Sequence, residues 1–289
     1  MKVGQIGVVG LGVMGESMAR NLLKRFPVMV FNRTRKRCES LRIEGAPVAG
    51  TVAELASECE AVCLSLSDDA AVSEIALGSG GLVENLSVGS LVIDFSTISP
   101  RTTRSLATAF QEKGIEFLDA PVSGGDVGAR AGTLTIMVGG KESSFERALP
   151  VFQAVGKKIV RMGESGSGQM MKAINQVAVA LSVTAMTEAL ILAGRSGLSV
   201  EMALDVLRSG AAGSWSFDNY APRVLAEDFR PGFSAKHMHK DLVIALSEAA
   251  GLGLTLPGTE MTEQLFAELC SNAREELGNH ALIKRYGAE

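Results

Sequence analysis

Residues 3–15 read VGQIGVVGLGVMG and join an apolar run to a glycine-rich turn. The apolar run Val3–Val9 is typical of a buried β-strand, and the segment Glu16–Lys24 after the turn has the apolar spacing of a helix. A strand, a G-x-G-x-x-G turn and a helix in this order are the fingerprint of a dinucleotide-binding unit. The order therefore predicts a pyrophosphate site at the helix N-terminus, where backbone N–H groups face an anion.

The residues of this turn have separate expected roles. Gly10 permits the tight turn, Gly12 lets the pyrophosphate approach the backbone, and Gly15 lets the helix pack closely on the strand. Val13 and Met14 complete the predicted cofactor-binding segment. A glycine-rich turn without a ligand is the alternative, and the flanking strand and helix favour the binding site.

The end of the second predicted strand indicates which dinucleotide binds. Val28–Phe31 is followed by Asn32, Arg33 and Thr34, where an NAD-specific site would carry an acidic residue. Arginine can bind a phosphate through two parallel hydrogen bonds, whereas a carboxylate would repel it. The basic run Arg35–Arg37 lies close behind. We therefore predict NADP as the cofactor; NAD stays possible, because a solvated basic helix start would look the same.

Composition limits the classes of partner. The chain has 289 residues, enough for two domains, and a formal net charge of −4, which argues against nucleic-acid binding. Its four cysteines, Cys38, Cys59, Cys63 and Cys270, have neither metal-site spacing nor a disulfide framework, and we predict no metal. The first strand begins almost at the initiating Met, so we expect no signal peptide and a cytoplasmic protein.

One stretch, Val177–Ala193, is apolar enough to be compared with a membrane span. Ser182, Thr184, Thr187 and Glu188 interrupt it. The pattern favours a buried helix of a soluble protein, and no membrane partner is predicted.

The periodicity changes about halfway along the chain. Up to about Met162, short apolar runs alternate with helical segments, which predicts an α/β domain with a Rossmann-type, doubly wound sheet. The small polar stretch Gly163–Gly168 follows, and beyond it the period is helical. We predict a dinucleotide-binding domain at 1–162 and an all-helical domain for substrate binding and dimerisation at 163–289, with a long interdomain helix from about residue 169.

The predicted elements are as follows. Further strands are expected at Ala61–Leu66, Leu91–Phe95, Ile115–Leu118, Thr133–Val138 and Lys158–Arg161, and helices at Thr51–Ser57, Arg101–Glu112, Ser143–Val155, Gln169–Ser196, Val200–Ser209, Ala235–Ala250 and Leu256–Gly278.

Lys172 is the strongest candidate for acid/base chemistry. On the predicted helix it shares one face with Asn175 and Gln176, three and four residues further on, and Gly168 would leave space on that face. Desolvation lowers the pKa of a lysine ammonium, so that it can protonate an alkoxide near neutral pH. An amide beside it can orient a carbonyl or carboxylate. An ordinary surface lysine fits the spacing equally well.

Four blocks of the sequence resemble the β-hydroxyacid dehydrogenase family and occur in the family's order. They are Gly10–Gly15, Asp119–Gly125 (DAPVSGG), Gly166–Gln176 (GSGQMMKAINQ) and Lys240–Leu242 (KDL). The family includes 3-hydroxyisobutyrate dehydrogenases, tartronate semialdehyde reductases and glyoxylate/succinic semialdehyde reductases. The resemblance implies a nucleotide-binding domain followed by a helical domain, and an oxidoreductase that acts on a small anionic semialdehyde acid or hydroxy acid.

The resemblance also implies roles for individual residues. Lys172 corresponds to the family's acid/base lysine and Asn175 to its substrate-orienting amide. Ser123, Gly124 and Gly125 correspond to the segment that holds the substrate carboxylate, where a hydroxyl and unshielded N–H groups form an anion site. The positions expected at the cofactor are Leu66, Ser67, Thr97 and Lys240.

The implied reaction is hydride transfer between the nicotinamide and the carbonyl carbon of the substrate, with Lys172 as general acid or base. We favour a glyoxylate/succinic or tartronate semialdehyde reductase, with a 3-hydroxyisobutyrate dehydrogenase using NAD or NADP as the alternative. The alternative from another class is a non-catalytic NADP(H)-sensing or structural protein. A homodimer or homotetramer is expected.

Two other protein families with a similar architecture resemble the chain less closely. A 6-phosphogluconate dehydrogenase would need a much larger helical domain, and imine reductases usually lack the lysine at the position of Lys172.

His237 and His239, two residues apart on a predicted helix, make a poor metal pair. Trp215 and Phe233 could line a substrate pocket or anchor the helical core.

Overall fold

A computed structural model of the chain describes residues 4–286, so Val3, the first residue of the predicted N-terminal strand, lies outside the described residues. The chain forms two compact units, Met1–Lys172 and Ala173–Glu289. The predicted domain boundary at residues 162 and 163 stays a prediction.

The first unit alternates strands and helices along most of its length. Its strands are β1 (Ile6–Val9), β2 (Val28–Phe31), β3 (Ala61–Leu64), β4 (Leu91–Asp94), β5 (Glu116–Asp119), β6 (Val122–Ser123), β7 (Leu134–Gly139) and β8 (Gly156–Gly163). Its helices are α1 (Val13–Leu23), α2 (Glu39–Ile43), α3 (Val52–Glu58), α4 (Asp69–Leu77), α5 (Leu82–Asn85), α6 (Pro100–Glu112), α7 (Gly125–Ala131) and α8 (Glu142–Val155), and a short 3₁₀ helix covers Arg35–Cys38.

The strands form one sheet of eight, in the order β2-β1-β3-β4-β5-β7-β6, with β8 paired to β7. The strands from β2 to β5 in this order are parallel, with Ile6 opposite both Val28 and Ala61. β7 runs antiparallel to β5 and β6 and parallel to β8. This is the predicted doubly wound, mainly parallel sheet. The chain reverses its winding direction at β1, and such a switch point at the carboxyl ends of the strands is where ligands bind in this fold class.

The central strands are buried on both faces because helices cover both sides of the sheet. Along β1, Ile6 and Val8 belong to one apolar cluster and Val9 to the other. A strand with two buried faces needs a nearly continuous apolar sequence, which is what the N-terminal stretch has.

The described residues of the second unit form helices joined by loops, with one isolated β-bridge between Ser234 and Gly278. The long helix α9 (Ser167–Arg195) enters it and is followed by α10 (Val200–Ser209), α11 (Trp215–Asn219), α12 (Ala221–Leu225), α13 (Ala235–Gly251) and α14 (Pro257–Leu269), then a π-helical turn at Cys270–Arg274 and a 3₁₀ helix at Asn279–Tyr286. An apolar cluster that includes Val183, Met186 and Leu242 forms its core.

The predicted helix over Leu256–Gly278 is wrong in its last third. α14 ends at Leu269, and Ala273 takes a left-handed conformation with φ 56° that stops the helix. After this turn, the Leu277 carbonyl accepts a hydrogen bond of 2.8 Å from the N–H of Ala235 at the start of α13. The typical length of such a bond is about 2.9 Å. Tertiary pairing at the start of α13 therefore outweighs the local helical pattern.

Among residues 4–286, α9 is the one helix long and apolar enough to cross a membrane by length and composition. A core helix of a soluble protein meets the same criterion. Thr184 and Thr187 are buried on it. The expectation of no membrane partner stays a prediction.

Candidate active site

The three glycines of the first turn have different surroundings. Gly10 has φ +94°, and a Cβ placed on it would come within 2.8 Å of the Leu66 side chain. A Cβ on Gly15 would collide with the carbonyl oxygen of Gly10. A Cβ on Gly12 would meet only an Arg37 nitrogen, at 3.9 Å. Gly10 and Gly15 are thus required by packing of the protein itself, whereas Gly12 faces open space that a ligand could fill.

The turn ends at the N-terminus of α1, and the first backbone N–H groups of this helix donate no hydrogen bond to a capping side chain. Gly12 is the N-cap residue and has no side chain to bond to the first N–H groups of the helix. Val13 is 55% exposed and Met14 half-buried. Uncapped donors beside an open glycine fit a pyrophosphate, because anions are attracted to helix N-termini.

The residues after β2 divide into one that supports the turn and several that face solvent. Asn32 accepts a hydrogen bond from the Leu11 N–H at 2.9 Å and donates to the Thr34 carbonyl at 3.0 Å. Arg33, Thr34 and Arg37 are exposed. Arg37 reaches towards Gly12, a proximity that was not evident from the sequence. Three exposed donors next to the turn fit a phosphate group.

The other predicted cofactor positions of the first unit follow β3 and β4. Leu66 packs against Gly10, and its N–H donates to Ser96 Oγ at 2.9 Å. Ser67 is exposed and donates to Asp68 at 2.7 Å. Thr97 is half-buried directly after Ser96. The structure thus brings the loop after β3 to the turn after β1 and to the loop after β4.

Lys172 lies beside the predicted carboxylate-holding segment. Its side-chain ammonium donates to the Val122 carbonyl at 2.9 Å, and the residue is only 5% exposed. Ser123 follows Val122 immediately, and Gly124 and Gly125 adopt φ +128° and +63°, conformations that favour glycine. A Cβ on Gly125 would meet nothing within 4 Å. A buried cation, a hydroxyl and an open glycine turn therefore occur together.

Two buried side chains hold the start of the lysine helix. Asp119 accepts hydrogen bonds from the N–H groups of Gly166 and Gln169, at 2.8 and 3.0 Å. Gln169 donates to the Ser96 carbonyl at 2.8 Å. Burial raises the pKa of the Asp119 carboxyl above its usual value, and these backbone donors oppose the rise. Both residues lie within the family motifs, but the sequence alone did not indicate a role for either of them.

The second unit holds Asn175 and Lys240 and links them through buried polar side chains. Asn175 donates to Gln176 at 2.8 Å, Gln176 donates to Asp241 at 2.7 Å, and Asp241 is ion-paired with Lys240 at 2.9 Å. Gln176 and Asp241 are almost fully buried. Lys240 and Asp241 both lie in the family block, but neither their ion pair nor the bond to Gln176 was evident from the sequence, because adjacent residues on a helix point in different directions.

The remaining candidates of the second unit have ordinary structural contacts. Trp215 packs edge-on against Tyr220, with ring centroids 4.9 Å apart, and is half exposed. Phe233 lies 6.0 Å from the ring of His237. His239 bonds to Glu263 at 2.7 Å. In the described part of the chain, no group of three or more His, Cys, Asp or Glu residues could hold a metal ion.

Family models match both parts of the chain. Residues 5–164 match the NAD-binding domain of 6-phosphogluconate dehydrogenase, and residues 166–286 match the NAD-binding domain of NADP-dependent 3-hydroxyisobutyrate dehydrogenase. The chain belongs to the β-hydroxyacid dehydrogenase family. It is therefore an oxidoreductase that binds a nicotinamide dinucleotide and acts on the CH–OH group of small hydroxy acids.

Individual relatives cover almost the whole chain. An uncharacterized oxidoreductase, YkwC of Bacillus subtilis, is 42% identical over 96% of this chain and 97% of its own length. The 2-hydroxy-3-oxopropionate reductase of Escherichia coli is 35% identical over 97% of this chain and 96% of its own. The solved structure of Mycobacterium tuberculosis 3-hydroxyisobutyrate dehydrogenase with L-serine is 31% identical, covers 100% of both chains and superposes with a TM-score of 0.89.

Proposed function

We propose that this protein is an NADP-dependent reductase that interconverts a small semialdehyde acid and its hydroxy acid, of the glyoxylate/succinic or tartronate semialdehyde type. The observation that carries the proposal is the Lys172 ammonium, buried and 2.9 Å from the Val122 carbonyl, directly before Ser123. A donor in this position can deliver a proton to an oxygen atom held by the adjacent segment. The similarity to the E. coli 2-hydroxy-3-oxopropionate reductase supports this substrate class.

The residues present fit a dinucleotide. Gly12 and the uncapped start of α1 would hold the pyrophosphate, with Val13 and Met14 beside it, and Arg33, Thr34 and Arg37 would bind the phosphate that distinguishes NADP from NAD. Asn32 supports the turn. Leu66, Ser67, Thr97 and, in the second unit, Lys240 are the further proposed contacts. When bound, the reduced dinucleotide supplies a hydride from C4 of its nicotinamide ring.

The protein's own part in the reaction is to hold the substrate and to move one proton. Ser123 Oγ and the backbone N–H groups of Gly124 and Gly125 would bind the substrate carboxylate, and Asn175 would orient its carbonyl. Lys172 Nζ would give one proton to the alkoxide oxygen that forms on reduction of the carbonyl, and would be left as a neutral amine. In the oxidation of the hydroxy acid, the neutral amine would take that proton back.

Lys172→Ala tests the acid/base role. We expect kcat to fall about 100- to 10,000-fold, because that is the usual contribution of a general acid. The dissociation constant of NADPH, measured from the change of its fluorescence on binding, should change by less than about twofold. Lys157→Ala, at an exposed lysine on β8, is the matched control and should keep full activity. Full activity of Lys172→Ala would overturn the assignment.

A 3-hydroxyisobutyrate dehydrogenase is the second candidate, supported by the match of residues 166–286 and by the M. tuberculosis structure. Steady-state rates with NADPH and glyoxylate, succinic semialdehyde or tartronate semialdehyde, set against rates with 3-hydroxyisobutyrate and NADP⁺ or NAD⁺, separate the two. A protein that binds NADPH but turns over none of these would favour the non-catalytic alternative. The homodimer or homotetramer and the cytoplasmic location stay predictions of the same proposal.

A further inference from the structure

The first turn of α9 is held by a carboxylate buried at the end of β5. Asp119 is fully buried, and its two side-chain oxygens accept from the N–H groups of Gly166 and Gln169 at 2.8 and 3.0 Å. The first N–H groups of a helix have no partners within the helix, and a negative charge there is favoured by the helix dipole. Asp119 therefore anchors the start of the helix that carries Lys172.

Close packing leaves this carboxylate little freedom to move. A Cβ on Gly139 would come within 2.5 Å of one side-chain oxygen of Asp119, and a Cβ on Gly168 would come within 2.8 Å of the other. The Gly168 Cβ would also collide with the Met137 carbonyl. Two glycines thus allow β7 and the first turn of α9 to pack around Asp119. The predicted open space at Gly168 is therefore wrong, because protein atoms fill it.

Gln169 holds the same helical turn from a second direction. Its side-chain amide donates to the Ser96 carbonyl at 2.8 Å and accepts from the Ile98 N–H at 3.3 Å, and the residue is 1% exposed. These bonds attach the helix to the loop after β4, whereas Asp119 attaches it to β5. A helix end fixed by two independent buried contacts has a defined position and direction.

We propose that Asp119 and Gln169 are positioning residues for proton transfer, holding the Lys172 ammonium in register with the Val122–Gly125 segment. The inference rests on the proposed role of Lys172, which lies one turn beyond Gln169 on the same helix. Neither residue touches the reacting atoms. Each acts through the location of the ammonium, and a displacement of about 1 Å at a reacting group can cost about 100-fold in rate.

Asp119→Asn is the first test. The variant keeps one acceptor oxygen but turns an –NH₂ group towards a helix N–H, so the first turn of α9 loses one of its two bonds to this side chain. We expect kcat for semialdehyde reduction to fall about tenfold or more while the dissociation constant of NADPH stays within about twofold. A purely structural role would instead lower stability with kcat per folded molecule unchanged.

A double-mutant cycle with Lys172→Ala shows whether the effect passes through the lysine. If Asp119 acts by positioning Lys172, Asp119→Asn should cause no further loss of the residual rate in the Lys172→Ala background. An equal loss in both backgrounds, or no loss in the single variant, would overturn the inference. Full activity of Lys172→Ala alone would instead overturn the proposed function, so the two failures are distinguishable.

Gln169→Leu is the second variant and keeps the test decisive if Asp119→Asn does not fold. It removes both side-chain bonds of Gln169 and retains a good helix former. The same fall in kcat and the same coupling to Lys172 are expected. Asn85→Leu is the matched control. The side-chain amide of Asn85 also donates a hydrogen bond to a backbone carbonyl, that of Gly81 at 2.8 Å, at a site with no proposed role. Its kcat should equal that of the unmodified protein, and a comparable fall in the control would also count against the inference.

Discussion

At the scale of single residues, the preference for one dinucleotide depends on a few exposed side chains after β2. Arg33→Asp should lower the ratio of kcat/KM with NADPH to kcat/KM with NADH about 10- to 100-fold, since a hydrogen bond between charged groups is worth about 1.5–3 kcal/mol. The introduced carboxylate repels a phosphate and can bond to a ribose hydroxyl instead. Steady-state kinetics with both reduced dinucleotides measure the ratio.

A charge change elsewhere on the same unit controls for long-range electrostatics. Arg25 is exposed beyond the other end of α1, so Arg25→Asp alters the net charge equally without approaching the turn. It should leave the ratio unchanged. A ratio that is also unchanged in Arg33→Asp would show that the phosphate is held by another group, of which Arg37 is the first to test because it reaches towards Gly12.

At the scale of elements, the β1–α1 turn contains two glycines that the packing of the protein requires and one glycine that ligand binding is expected to require. Gly10→Ala forces a Cβ into a backbone at φ +94° and against Leu66, so we expect a loss of about 1–3 kcal/mol in the free energy of unfolding. Gly12 has an ordinary φ of −74° and open space around it. Gly12→Ala should keep stability within about 0.5 kcal/mol but raise KM for NADPH about tenfold or more.

Urea unfolding and NADPH titrations of the two variants measure both effects. The pattern would be contradicted by a Gly12→Ala protein that binds NADPH normally, since the methyl group would then lie away from the pyrophosphate. Equal destabilisation of both variants would contradict the distinction between the two glycines.

Local pattern was enough to predict the elements whose side chains follow one clear period. β2 and α10 have the predicted bounds, Val28–Phe31 and Val200–Ser209, because apolar runs and a capping Ser199 mark their ends. β6 has two residues and α7 contains Gly125 and Gly128, so neither shows a period. Contacts with other elements, rather than a local sequence pattern, determine where β6 and α7 form.

The sequence indicated individual candidate residues of the site, but not the contacts between them. Lys172 and Ser123 were identified from motifs about fifty positions apart, yet the bond from Lys172 to the Val122 carbonyl depends on how α9 starts. That start is set by Asp119 of β5 and by Gln169, whose partners lie in the loop after β4 and in the segment where α9 begins. Contacts between distant segments leave no periodic signal in a single sequence.

At the scale of the whole molecule, each unit has its own apolar core and its own cysteines. Cys38, Cys59 and Cys63 are buried in the first unit, and Cys270 is half-buried in the second. Burial raises the pKa of Cys59 and of Cys63 to about 12. Since the thiolate is the reactive form, native Cys59 and Cys63 should resist thiol reagents at pH 8 until the surrounding core opens.

Dinucleotide binding should therefore protect the thiols of the first unit selectively. A ligand that binds only the folded state slows modification through unfolding by the factor 1 + [L]/Kd, so NADPH at 100 times its Kd should slow labelling of Cys59 and Cys63 about 100-fold. Peptide mass spectrometry after timed alkylation gives the rate for each cysteine. Cys270 serves as the internal control, because it is half-buried in the second unit and its labelling does not require unfolding of the first. Equal labelling rates of Cys59 and Cys63 with and without NADPH would mean either that local openings expose these thiols or that the dinucleotide does not stabilise the first unit, and the prediction would then be wrong.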